Sequence, residues 1–427
     1  MERDAVTSED QRAAEGGARR GIRARLLNQL ARARGFRNLV PESLKRLGRR
    51  FLPREAYQRA LWRAAAAASP VEAVSSYPAR VDVTLGIIRD LTGGRDLTGA
   101  RDLRVAACRD MGVPYRLVDI SGPDWIDVVR HCGCDAFLVY PKVFTAGWRL
   151  MYDERLKIMA DDLGLVLCPS FHDELWIFES KRRMHYWLTL HDVPHPRTWV
   201  FYSYDGAMAF AETADLPIVA KADAGWGASN VRIFRERRPL IQHVKRCFNE
   251  GLVTEIGGLR NVEWGSVTLQ EYIPAEIEWR MVRLGKYFFG HQKLKAGEFH
   301  SGSKLIGWQI PPKRLLDFLY DVTQKGRFTS MSLDTFETPD GRYLVNEVQP
   351  LFGAHLPYQM KVDDVPGRYL RDDTTGEWRF EDGKFCQNAG WNLRVETLLA
   401  SLGRVLPWRD PEPPDQTASR TGGHTAP

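Results

Sequence analysis

The sequence predicts an α/β domain followed by a larger α+β domain. Two patterns carry that reading. Between residues 80 and 178 short β-rich runs alternate with helical stretches, and from about 180 onward the runs pair as hairpins instead. The composition agrees: 427 residues, 27% charged and 44% apolar, suit a globular chain of two or three domains.

The chain begins with a basic arm. Residues 1–67 hold 16 Lys/Arg against 7 Asp/Glu, a net of +9, while the remainder balances at −3 within a total of +6. Ile22, Leu26, Leu27 and Leu30 recur at helical spacing among arginines, and Leu44, Leu47, Phe51 and Leu52 do the same before Pro53. Residues 1–78 therefore read as a basic helical or partly disordered N-terminal extension. Its two helices either pack on the body or serve residues 1–67 as a docking arm for an anionic partner, such as a membrane surface or a carrier protein. The slightly acidic body disfavours nucleic acid.

Strands are expected over 81–88, 115–120, 135–140 and 165–168, separated by helices over 100–111, 123–132 and 149–163. That order implies a parallel, Rossmann-like domain over 79–179, and the lack of a GxGxxG after its first strand argues against a dinucleotide there. The second domain spans 180–405. It opens with a helix over 180–191 and strands over 197–201 and 217–221. Strands over 231–234 and 266–273 follow, with a helix over 239–251 between them, and then a hairpin turning at Gly285. A helix over 314–326, a second hairpin over 331–348 and a helix over 392–402 complete it, and 406–427 read as a disordered tail.

No apolar run approaches the roughly 18 residues of a spanning helix, and the N-terminus shows no apolar signal core. The six cysteines are too scattered for a disulfide scaffold; Cys132-Gly133-Cys134, the one close pair, reads as ordinary reduced thiols. A cytoplasmic setting is expected.

Three stretches carry chemistry. In the second hairpin Asp340-Gly341 signals a two-residue turn. Counting back from that turn puts Asp334 opposite Glu347, with Gln349 on the same face as Glu347. Facing carboxylates repel, and a bound cation such as Mg²⁺ is the simplest compensation, against a solvated acidic edge. Second, Lys221 ends the apolar run 216–220 beside the glycine-rich stretch 225–230, a setting that suits phosphate, although no GK[ST] follows. Third, Glu278 and Arg280 share one strand face, and Lys293, Lys295, His300, Ser301, Ser303 and Lys304 follow as donors for an anionic substrate or a developing phosphate.

In this order the features resemble the ATP-grasp superfamily, particularly its ribosomal-protein glutamate ligase and glutathione synthetase branch. Ser180 and Lys181 open a helix that ends in Val193-Pro194-His195-Pro196-Arg197-Thr198, similar to the family's lysine, helix and (I/V)PxPxT entry. Residues 217–221 resemble its second lysine strand, Gln270-Glu271-Tyr272-Ile273 its hinge, and Glu278-Trp279-Arg280 its acidic-x-Arg strand. Gly297-Glu298-Phe299 resembles its substrate loop, and Asn346-Glu347-Val348-Gln349-Pro350 its metal motif, usually Glu-x-Asn-Pro.

The resemblance, over about 80–400, implies a Rossmann-like domain followed by a two-subdomain ATP-grasp fold. It implies that Lys181 and Lys221 contact ATP phosphates and that Gly225, Gly227 and Ser229 fold over them. Glu271 and the Ile273 backbone would read adenine, and Glu278 would take the ribose hydroxyls. Asp334, Glu347 and Gln349 would hold Mg²⁺, or Mn²⁺ in its place. Arg280 and Lys293 would stabilise the phosphoryl group in transfer, and His300 or Ser301 would orient a substrate carboxylate. The implied activity is ATP-dependent carboxylate–amine ligation through an acyl phosphate, with small-molecule or peptide substrates and release of ADP and phosphate. A phosphotransferase or a non-catalytic ATP-binding module are the alternatives. Gln349 for Asn, Trp226 in the glycine loop and Ser180 for the common Asp depart from the pattern.

Overall fold

The computed structural model describes residues 71–74, 79–89 and 102–404, apart from 144, 226–229, 257–258, 301, 304 and 355. The basic arm 1–67, the tail 406–427, Trp226, Gly227, Ser229, Ser301 and Lys304 lie outside the described residues.

The first sheet contains β1 (Val71–Val74), β2 (Leu85–Ile88), β3 (Tyr115–Val118), β4 (Ala136–Leu138) and β5 (Val166–Cys168), in the order β1-β3-β2-β4-β5. β2 to β5 run parallel, and β1 closes one edge antiparallel to β3. This corrects the expected extension to residue 78, because Val71–Val74 already belongs to the sheet. The central strands Leu85–Ile88 and Ala136–Leu138 are short, apolar and buried on both faces. The helix Gln387–Ser401, expected to close the second domain, also reaches back: Trp391, Val395, Leu398 and Leu399 share the core of the first sheet.

A four-stranded antiparallel sheet follows, made of β6 (Thr198–Phe201), β7 (Ile218–Lys221), β8 (Val231–Phe234) and β11 (Val267–Glu271), in the order β6-β11-β7-β8. The helices Tyr204–Thr213 and Arg237–Asn249 cover it through Ala207, Ala211, Leu240 and Val244. Between β8 and β11 the strands β9 (Leu252–Ile256) and β10 (Leu259–Glu263) form a separate hairpin. Neither that hairpin nor the helix Tyr204–Thr213 was expected from sequence.

The largest sheet is built on β12 (Ile277–Leu284), β13 (Tyr287–Lys293), β15 (Ser330–Glu337) and β16 (Tyr343–Gln349), extended beyond β13 by β14 (Ile306–Gly307), β17 (Lys361–Val362), β18 (Val365–Arg371) and β19 (Trp378–Asp382). Period-two alternation divides its faces. Trp279, Met281, Met331 and Leu333 pack under the helices Lys181–Leu190 and Lys313–Lys325, whose Leu315, Leu316, Leu319 and Val322 form an apolar stripe. Glu278, Arg280 and Asp334 point from the opposite face.

The hairpin between β15 and β16 departs from the expected register in an instructive way. Glu337 pairs with Tyr343 and Thr335 with Val345, one residue off the count from a two-residue turn. The loop is longer, closed by Thr338 N–H donating to the Arg342 carbonyl, with Gly341 at φ 79°. A bulge between Asp334 and Thr335 then restores the pair Asp334–Glu347. Its extra residue is Asn346. Val345 and Val348 both face the core, so Asn346 and Glu347 both face away from it.

Candidate functional site

A cleft lies between the four-stranded sheet and the polar face of the large sheet. The space between its walls, including the part open to solvent, is about 910 Å³. Its apolar part is lined by Val219, Val231, Ile233, Ile273, Phe299 and Phe336, and its polar end by Lys181, Lys221, Asn230, Glu278, Asn346 and Glu347. Gly225, Glu271, Lys295, Glu298 and His300 complete the rim. Gly225 stands at φ 143°, and a Cβ there would lie 2.6 Å from the Asn230 amide nitrogen, so only glycine lets the chain turn so close.

The polar end holds two adjoining sets of bonds. Lys181, in the first turn of its helix, reaches Glu347 Oε1 at 2.7 Å. Lys221, at the end of β7, donates to Asn346 Oδ1 at 2.7 Å, and Asn346 Nδ2 donates to Glu278 Oε1 at 2.8 Å. Lys293 bridges Glu278 and Asp334 at 2.8 Å each. Arg280 grips Asp334 with two bonds of 2.9 Å. Four cations thus face three carboxylates, and this group keeps one net positive charge beside the cleft. Burial pushes Lys221 down to about 8, while the cations around Asp334 outweigh its own desolvation and hold its carboxyl well below the usual range.

One strand from each sheet supplies a lysine or its partner, and between them lies a cleft with a glycine-bearing loop at its lip. No protein-family model matches the chain, and no curated protein matches it. Among solved structures it is similar to a RimK domain ATP-grasp protein from Sphaerobacter thermophilus, at 17% identity over 62% of this chain and 90% of the other, TM-score 0.43. The biotin carboxylase domain of Hydrogenobacter thermophilus 2-oxoglutarate carboxylase gives 12%, 76%, 70% and 0.48. The macrocyclase MdnC of Microcystis aeruginosa, bound to its precursor peptide, gives 15%, 64%, 92% and 0.42.

Of the residues expected in an ATP-grasp site, Lys181, Lys221, Gly225, Glu271, Ile273, Glu278, His300 and Glu347 line the cleft. Arg280, Lys293, Asp334 and Gln349 support it from outside its lining. Glu271 holds Arg197 with both oxygens, at 2.7 Å to the backbone N–H and 2.7 Å to Nε. His300 packs beside Phe336 with Nε2 3.2 Å from the Glu276 carbonyl. The repulsion between Asp334 and Glu347, which suggested a metal, is already answered by Arg280, Lys293 and Lys181. Among the described residues no three Asp, Glu, His or Cys side chains surround one point. Gln349 donates its amide to Glu347 Oε1 at 2.6 Å. As placed, Asp334, Glu347 and Gln349 do not fit a divalent ion together.

Sequence reasoning assigned no role to Asn346 or Asn230, and it missed Glu179 altogether. Glu179 sits at φ 52°, donates its N–H to Gln349 Oε1 at 3.2 Å, and its carbonyl accepts Arg149 Nη2 at 2.5 Å. Burial pushes its carboxyl up to about 7, against the pull of Lys181 and with the help of Glu347. A carboxyl raised on folding contributes stability at low pH that is lost as pH rises through its folded value. The stability of the wild type relative to Glu179→Gln should therefore fall as pH rises from about 4.5 to about 7. Parallel melting curves against pH would contradict the assignment.

Proposed function

We propose that the protein is an ATP-dependent carboxylate–amine ligase. The convergence of Lys181 and Lys221 on the polar end of one cleft, backed by Arg280 and Lys293, supports this reading. Adenine would lie against Val219, Ile233, Ile273 and Phe336, and the phosphates would meet the lysines at the polar end. A substrate carboxylate oxygen attacks the γ-phosphorus, ADP leaves, and an acyl phosphate forms. An amine then attacks the acyl carbon, phosphate leaves, and the nitrogen gives up a proton. The buried cations stabilise the charge that moves in both steps, with little covalent work for the protein. Mg²⁺ is the family's expected cofactor. The side chains as placed hold cations of their own: Lys181 on Glu347, and Arg280 and Lys293 on Asp334.

The test is an acceptor panel of carboxylates with ATP and hydroxylamine. A ligase gives an ATP-dependent hydroxamate with ADP release. A phosphotransferase gives a stable phosphorylated product and no hydroxamate. If no carboxylate yields hydroxamate although nucleotide binds, the ligase reading is overturned. Repeating the assay with EDTA reads out the metal requirement.

A further inference from the structure

The first domain carries a pair of thiols that the cleft does not use. The helix Trp125–His131 ends at Cys132, Gly133 turns the chain at φ 62°, and Cys134 leads into β4. Residues two apart at such a turn have Cα atoms roughly 5–6 Å apart, inside the window for a disulfide. The two thiols lie close enough to shift one another's ionisation. Cys132 Sγ also lies 3.1 Å from the Val129 carbonyl, and Cys134 Sγ 3.8 Å from the Cys132 carbonyl. Cys132 is buried at 2% exposure, whereas Cys134 is half-buried and offers the way in. The guanidinium of Arg116 lies over the turn, within 3.8 Å of where a Cβ on Gly133 would stand.

We propose that Cys132 and Cys134 are a reactive dithiol, a modification site for low-molecular-weight disulfides that closes to an intramolecular disulfide. The Cys134 thiolate attacks one sulfur of the small disulfide, its S–S bond breaks, and the first small thiolate leaves. The Cys132 thiolate then attacks the Cys134 sulfur and displaces the second. The protein loses two electrons and the small disulfide gains them. The two cysteine protons end on the two small thiols.

The charge environment agrees with this. Contact between the two thiols, aided by Arg116, brings Cys132 down to about 7 with desolvation opposing and pushes Cys134 well up, so the pair shares one proton and one negative charge, which Cys134 carries when it attacks. Asp135, the acidic neighbour, is engaged by the Thr84 N–H at 2.7 Å. The remaining thiols are internal controls: burial raises Cys108, Cys168 and Cys386 to about 12 and Cys247 to about 11.

The experiment treats the full chain with oxidised glutathione at graded ratios to reduced glutathione. Acid quenching, alkylation and peptide mapping follow. The expected result is a Cys132–Cys134 link with the other four cysteines alkylated. Cys132→Ser should stop at a glutathione adduct on Cys134, and Cys134→Ser should leave Cys132 unmodified. As a measurement free of variants, brief alkylation of the native wild type should label the pair at least about tenfold faster than the four buried thiols. A pair that stays reduced in oxidised glutathione alone, or that alkylates no faster than Cys108 or Cys168, overturns the proposal. These readouts stand whether or not the chain is a ligase.

Discussion

Lys221→Ala is expected to weaken nucleotide binding by roughly tenfold to a hundredfold, the worth of one charge-assisted hydrogen bond to phosphate. Lys221 lies half-buried at the polar end of the cleft and is held 2.7 Å from Asn346 Oδ1. No other described cation on the four-stranded sheet reaches that end of the lining. Truncation removes the charge and leaves the Asn346 carbonyl without its donor. Because burial holds the lysine at about 8, the effect has a pH signature. Affinity of the wild type should fall above about pH 8 as the ammonium deprotonates. Lys221→Arg, charged throughout, should show a flatter profile. The measurement is the nucleotide-induced rise in melting temperature. If Lys221→Ala keeps the wild-type shift at every nucleotide concentration, the phosphate end has been placed wrongly.

The second large effect is on stability. Asp334→Asn should cost about 3–5 kcal/mol, because it leaves two buried cations facing a neutral amide. Asp334 is 4% exposed and accepts both Arg280 bonds and one from Lys293. An amide can present only one oxygen there, and its NH₂ would point at a guanidinium or an ammonium. From sequence alone, Asp334→Asn with Glu347→Gln would be expected to silence turnover and spare the fold. The structure predicts instead that the first substitution already lowers the denaturation midpoint. Glu347→Gln, whose carboxylate is less enclosed, should be milder. Equal midpoints for wild type and Asp334→Asn in urea would contradict the buried network.

The pair Asp334–Glu347 shows how a sequence count can reach the right place by a partly wrong route. The count assumed a two-residue turn at Asp340-Gly341. The chain makes a longer loop there and recovers the lost residue with a bulge. Turn chemistry was legible because Asp-Gly is a local signal. The bulge was not, because it depends on Val345 and Val348 both finding the core beneath the large sheet. The same bulge turns Asn346 into the cleft, where it links Lys221 to Glu278. Glu179 escaped notice for a similar reason. Its burial comes from Arg149 of the first domain and Gln349 of β16, 30 and 170 positions away.

What the sequence determined by itself was local in origin. It yielded the alternation of strands and helices in the first domain, the period-two division of β12 into Glu278 and Arg280 against Trp279, and the lysines ending apolar or capped segments. These follow from steric periods of 2 and 3.6 and from the turn preferences of a few residues. The tertiary structure decided which charges neutralise which, that the C-terminal helix completes the first core, and that the Asp334–Glu347 repulsion is answered by side-chain cations. Those outcomes depend on segments far apart in the chain packing together. Only then do burial and short distances make each pairing strong enough to matter.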